Sequence, residues 1–325
     1  MTRNVKVAAC YNRAVRSPLR SRFLLALVCA PLLAGAACHK TTSTTTDPGL
    51  GSALDHGSDM PLQTGGPVDT TPLAGVDLSK LEGDQQKLFY TLVGSLSSPC
   101  GKAHSLRTSF TTDQSCKRAP FAVRYLMMLV EDGAPEDIAR KDWEAKYKAQ
   151  GAPLKIDVSK APHEGGAEDA PVRFVEYFDY GCPHCAAFKP LMEQLLADES
   201  GKVVTYFKMF PIESKHPDSR SAAQAALAAN TLGKFKEMHD LLFQKTPEHN
   251  HDAVAGYAKQ LGLDPAKFEA AYSAAGQTVS DDEKQAEGLG VDATPTIFFN
   301  DRKYDGPLGL KYLEAWVEEE IAVNR

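Results

Sequence analysis

Residues 174–185 read Phe174-Val175-Glu176-Tyr177-Phe178-Asp179-Tyr180-Gly181-Cys182-Pro183-His184-Cys185. With Val172 and Arg173 before it, the first half is rich in aromatic and β-branched residues, the composition of a buried strand. Asp179-Tyr180-Gly181 breaks the run, and Pro183 suits the opening position of a helix because it lacks an N–H that would be unpaired there anyway. The stretch therefore reads as strand, turn, helix, with two cysteines at the junction. A helix N-terminus presents unpaired N–H groups and the positive end of the helix dipole. A thiolate placed there is stabilised. Two intervening residues let both sulfurs meet within the first turn. Cys182 is the expected nucleophile and Cys185, one turn in, the expected resolving thiol; His184 adds a cation source beside them. Two cysteines alone are a poor zinc site, which takes about four ligands, so no metal and no cofactor are expected.

Around this junction the texture alternates between strands and helices. Strands are expected over Leu154–Val158, Val172–Phe178, Val203–Phe210 and Thr296–Phe299, with a Gly- and acid-rich turn over His163–Ala170. Helices are expected from Cys182 to about Glu199, over Ala222–Leu232, Phe235–Phe243, Val254–Leu261 and Pro265–Tyr272, and over Gly309–Val323. The order of elements predicts an α/β domain. Val172, Phe174, Glu176 and Phe178 alternate along one face of their strand, so Glu176 is expected to be buried among apolar neighbours.

Three motifs resemble one family. The segment 174–185 looks like the active-site segment of the DsbA-like thioredoxin-fold oxidoreductases of bacterial envelopes. His216-Pro217-Asp218-Ser219-Arg220-Ser221-Ala222-Ala223, followed by Gly233–Phe243, is similar to that family's helical insertion. Gly290-Val291-Asp292-Ala293-Thr294-Pro295-Thr296 resembles its proline loop. The likeness covers about residues 153–323. It implies a thioredoxin-like fold with a helical insertion over 153–325, a redox-active disulfide between Cys182 and Cys185, and a cis Pro295 facing it. It further implies that the Thr294 backbone pairs with extended substrate, and that Glu176 is a buried acid relaying the Cys185 proton. The activity implied is thiol–disulfide exchange on exported proteins that carry cysteines, most simply the introduction of disulfides, with a membrane redox partner recycling the site. The competing readings are a reductase or isomerase, in cytochrome c maturation for example, and a peptide-binding or chaperone module without turnover.

Residues 76–150 are expected to form a small all-helical domain, because Leu81, Leu88, Leu92, Val93 and Leu96 recur at helical spacing, as do Val123, Leu126, Met127 and Val130, and then Ile138, Trp143 and Tyr147. Cys100 and Cys116 bracket a loop between two of these helices. The simplest account is a structural disulfide, worth about 3 kcal/mol for a loop of this length; a second redox pair, or a metal site with His104, are the alternatives.

Ahead of the helices, residues 38–75 are rich in Thr, Ser, Gly, Pro and Asp, and they read as a flexible tether that cannot offset its ordering entropy. Residues 1–37 carry six basic residues and no acid. Their apolar run, Phe23–Leu33, is too short to span a bilayer but has the length of a signal-peptide core. Gly35-Ala36-Ala37-Cys38 resembles a relaxed lipobox, so Cys38 is the expected lipidation site and a membrane-tethered lipoprotein of the periplasm the expected form. Seven cysteines then divide into two lost with the signal, one lipidated and two pairs. Without residues 1–37 the chain has 30 basic and 42 acidic residues, a net charge of −12. Such a balance argues against nucleic acid as a partner.

Overall fold

The computed structural model describes residues 67–148 and 153–324. The expected signal peptide, Cys38 and most of the expected tether lie outside the described residues. Four helices come first: α1 (Gly83–Ser95), α2 (Leu106–Thr111), α3 (Ala119–Glu131) and α4 (Glu136–Tyr147). Then follow β1 (His163–Gly165), β2 (Val172–Phe178), α5 (Pro183–Asp198), β3 (Val203–Met209), α6 (Ser219–Thr231), α7 (Phe235–Lys245), α8 (His251–Gln260), α9 (Pro265–Gly288), β4 (Thr296–Phe299), β5 (Arg302–Tyr304) and α10 (Leu310–Val323).

The five strands form one mixed sheet in the order β1-β3-β2-β4-β5, in which only β2 and β3 run parallel. Central strand β2 is covered on both faces, which is why it reads as an almost unbroken apolar run. Val172 and Phe174 pack with Phe188, Met192 and Leu195 of α5 and with Trp316 and Val317 of α10. Val175 and Tyr177 face the other way, against Val204, Phe298 and Ala286 of α9. The period of two therefore sends Glu176 to the α5 face, beneath the start of that helix. Helices α6 to α9 are the insertion between β3 and β4, packed through the Ala-rich face of α6.

Three expectations need correction. Residues 154–158 form no strand: Leu154 takes a single backbone bond, from its N–H to Asp301 O, and Ile156 is buried as an extended segment outside any ladder. Part of the expected turn over 163–170 is strand β1, because His163–Gly165 pair antiparallel with Val204–Tyr206. The expected helix over 265–272 continues to Gly288, held past its polar middle by Asp282, which is buried, bonded to the Met209 N–H and ion-paired with Lys208.

The chain already packs onto the helices before residue 75. Arg107 of α2 donates to the carbonyls of Asp69 and Thr71 at 2.6 and 3.0 Å, and Leu73 is buried. Cys100 and Cys116 are joined in a disulfide with Cα atoms 5.7 Å apart, clipping the segment from α1 to α3.

All described residues belong to one compact unit. Tyr312 of α10 enters the helical core beside Leu126 and Val130, and its hydroxyl donates to Asp132 at 2.7 Å. Nearby, Glu319 of α10 is 1% exposed and gathers three partners from the helical region: Arg118 at 2.8 Å, Lys146 at 2.9 Å and the Tyr147 hydroxyl at 3.0 Å. Lys146 also lies 3.2 Å above the Trp316 ring. Burial lowers the Lys146 pKa to about 8, while Glu319 opposes the fall. Removing Glu319 leaves the buried Lys146 without its ion-pair partner. Glu319→Ala is expected to destabilise the fold by about 3–5 kcal/mol, measured as a lower midpoint in urea unfolding.

Candidate active site

The site is assembled where β2 ends. Asp179 turns the chain, and its side chain is fully buried with three partners. It accepts the Gly181 N–H at 2.7 Å, the Ile212 N–H at 2.7 Å and His216 Nδ1 at 2.8 Å. Its own carbonyl accepts the Cys182 N–H at 3.0 Å. A Cβ on Gly181 would stand 2.6 Å from His216 Cβ, so the glycine is required for this close approach. Cys182 is the N-cap of α5 and Pro183 its first residue.

Both cysteines are free thiols, the reduced form of the pair. Cys182 is 6% exposed and Cys185 fully buried. The Cys182 pKa falls to about 5. The hydrogen bond from the Cys185 thiol is the largest cause; burial opposes it, and the Thr294 side chain and the N–H groups of Cys185 and His184 add to it. Cys185 moves the opposite way, upward, because of burial first and then its bond to Cys182 and the nearby Glu176 charge. The two sulfurs are thus driven apart in acidity, one toward nucleophile and one toward held proton. His184 contributes through its backbone, while its side chain and that of Pro183 are exposed.

The Thr294–Pro295 bond is cis, and the loop faces the thiols: Cys182 Sγ donates to Thr294 O at 3.4 Å. The Thr294 hydroxyl is buried beside Cys182, whose thiolate it helps to stabilise. Glu176 is 5% exposed, and burial raises its pKa to about 8. It shares with Cys185 a cavity of about 20 Å3 under α5. The residues 176, 182–185, 294 and 295, scattered over some 120 positions, are therefore brought to one place. Cys100–Cys116 belongs to the helical region.

The tyrosines and histidines around the site have ordinary packing roles. Tyr177 and Tyr180 are buried; the first donates to Gln285 at 2.6 Å, and the second is bonded to His239 at 3.0 Å. His249 is buried against Leu242 O, whereas His251 is half exposed beside Glu269. Asp179, His216 and His239 had no role assigned from sequence. Asp179 and His216 are 37 positions apart, and only the spatial crossover after β3 joins them. Burial holds the His239 pKa down to about 3, which keeps that ring neutral in the aromatic cluster of Phe178, Tyr180, Phe207 and Phe243.

A family model described as thioredoxin matches residues 159–319. A Na(+)/H(+) antiporter, NhaA 3 of Salinispora tropica, is 36% identical over 166 residues, half of this chain. The chain spans only 25% of that antiporter's length. Among solved structures, a thioredoxin-like oxidoreductase from Silicibacter pomeroyi is 28% identical with a TM-score of 0.44, covering 49% of this chain and 91% of that one. The thiol-disulfide exchange protein alpha-DsbA2 from Wolbachia pipientis is 27% identical with a TM-score of 0.43, covering 49% of this chain and 86% of that one.

Proposed function

We propose that this chain, whose residues 159–319 match a family model described as thioredoxin, is a thiol–disulfide oxidoreductase that introduces disulfides into exported proteins. The observation that carries this reading is the placement of Cys182 at the N-cap of α5, where its pKa falls, beside a fully buried Cys185 and facing the Thr294–Pro295 loop. A reduced enzyme stabilised as the Cys182 thiolate makes its own disulfide a stronger oxidant, because the electrons it accepts come to rest in a favourable state.

The reaction follows from the geometry. A substrate thiolate attacks Cys182 Sγ, the more exposed sulfur, and the Cys182–Cys185 bond breaks. Cys185 leaves as a thiolate and takes the proton held by Glu176. A second substrate thiolate then attacks the substrate sulfur of the mixed disulfide, and Cys182 departs as the stabilised thiolate. Two electrons have passed from the substrate dithiol to the enzyme. The Thr294–Pro295 loop, against Cys182, is placed to hold the extended substrate through the Thr294 backbone. A membrane redox partner restores the disulfide, and a lipid on Cys38 keeps the enzyme at the envelope surface; Cys38 lies outside the described residues.

A reduced peptide with two cysteines, mixed with stoichiometric oxidised protein at neutral pH, is expected to be oxidised to near completion within the mixing experiment, read by alkylation and mass spectrometry. A reductase would instead leave the peptide reduced and lose its own disulfide only to a stronger reductant.

A further inference from the structure

Cross-strand neighbours share a face of a sheet. Glu164 of edge strand β1 is paired with Thr205 of β3, and Thr205 with Phe174 of β2. The Thr205 hydroxyl points at Met192 of α5, so this row of side chains faces α5. One step along the same face lie Phe207 and Glu176, themselves paired. Glu164 and Glu176 accordingly line the same cavity as Cys185, with Phe207 and Met192 forming its apolar wall.

We propose that Glu164 is the outer carboxyl of a two-carboxyl path that moves the Cys185 proton between the buried site and solvent, Glu176 being the inner one. The proposal rests on the exchange reading above. The cavity, at about 20 Å3, has room for about one water, enough to bridge two carboxyl groups that do not touch. Glu164 Oε1 is buried there without a hydrogen-bond partner. Its other oxygen lies 3.7 Å from Lys236 Nζ, at the mouth. Of its two oxygens, one faces Lys236 and the other is buried without a donor.

The charged groups around Glu164 come from two helices. Lys236 and Asp240 of α7 pair at 3.5 Å, and Lys189 of α5 pairs with Asp240 at 2.8 Å and with Glu193 at 2.5 Å. Lys236 also reaches Glu193 at 3.8 Å. The two lysines offset the acids, so the mouth is polar and balanced rather than strongly anionic. His239, on the cavity wall, stays neutral. Burial raises the Glu164 pKa, with Lys236 opposing, which brings its proton exchange closer to neutral pH. When the enzyme disulfide is reduced, Cys185 takes the proton of Glu176, Glu176 is reprotonated through the bridging water by Glu164, and Glu164 by solvent. Reoxidation runs the same transfers backward. Only protons travel this way; the electrons pass between sulfurs.

The test is the rate at which a mixed disulfide of Cys182 with glutathione is resolved by Cys185, followed by acid quench and alkylation between pH 5 and 9. The proteins compared are wild type, E164Q and E176Q. E164Q is expected to slow resolution roughly 5-fold near neutral pH, to be partly rescued by added imidazole buffer, and to leave the equilibrium constant with glutathione unchanged. A wild-type rate and pH profile in E164Q, with E176Q slow, would show that Glu176 reaches solvent without Glu164. A change in the equilibrium constant matching the change in rate would assign Glu164 to sulfur energetics and overturn its role in transfer. A wild-type protein that neither forms nor resolves the mixed disulfide would overturn the exchange reading itself.

Discussion

Cys182→Ser is expected to reduce exchange with a thiol substrate to the uncatalysed rate, whereas Cys185→Ala should still be attacked and then stall as a covalent adduct. The asymmetry follows from their surroundings. Cys182 caps α5, and the Cys185 thiol and two helix N–H groups stabilise its thiolate; Cys185 is enclosed and keeps its proton. A serine alkoxide is far too basic to replace that thiolate. Without Cys185, a mixed disulfide on Cys182 has no resolving sulfur, so Cys185→Ala should accumulate client proteins as adducts visible on non-reducing gels. Adducts on Cys185 in a Cys182→Ser protein would reverse the assignment. Biological activity retained by Cys182→Ala would identify a binding module that uses the groove without turnover.

The second large effect concerns Glu176. Its native pKa is raised to about 8 from an unfolded value of 4.5. Between these values the native protein holds a proton that the unfolded chain releases. Stability therefore falls as pH rises from 4.5 to 8, because ionising the buried carboxyl works against the fold. Glu176→Gln has no proton to lose and keeps its stability across this window. The gap between the two proteins is expected to be small at pH 4 and to reach on the order of 5 kcal/mol in favour of the variant above pH 8. The Cys182 contribution, gained as pH rises through about 5 in the reduced protein, is common to both and cancels in the difference. Urea unfolding at pH 4, 6 and 8 checks this, and a constant gap would show that Glu176 is already ionised in the native state. The stabilised variant should also exchange more slowly, since the carboxyl that weakens the fold is the one that serves Cys185.

The segment 172–185 was legible because burial on both faces left an apolar strand, and the helix start carries Pro183 as its mark. Glu176 stood out as one acid in that strand, and period two placed it beneath α5. Strand β1 was not legible: His163-Glu164-Gly165 has turn composition, and only its pairing with β3 makes it a strand. The far half of α9 was hidden for a related reason. Its Asp281-Asp282-Glu283 run reads as solvent-facing, yet Asp282 is buried against Lys208 on the neighbouring strand. The helical region reads as a unit of its own because its apolar residues recur at helical spacing. Nothing local announces that Tyr312 and Glu319, some 200 residues later, complete its core and neutralise Lys146. Contacts of this kind depend on which surfaces meet, and the pattern along one segment does not record the segment it will meet.

The site divides along the same line. The cysteines, Pro295 and Glu176 come from motifs with local signatures. The groups that hold or serve them, Asp179 with His216 and Glu164 at the cavity, are joined to the cysteines only through space.

The central claim is that the Cys182–Cys185 pair is an oxidant because the Cys182 thiolate is stabilised. Its redox equilibrium in glutathione buffers, with Cys100 and Cys116 replaced so that only one pair reports, tests this most directly. A potential near about −120 mV, where strong dithiol oxidants lie, is the expected result, while a value near about −270 mV would mark a reductant and contradict the account.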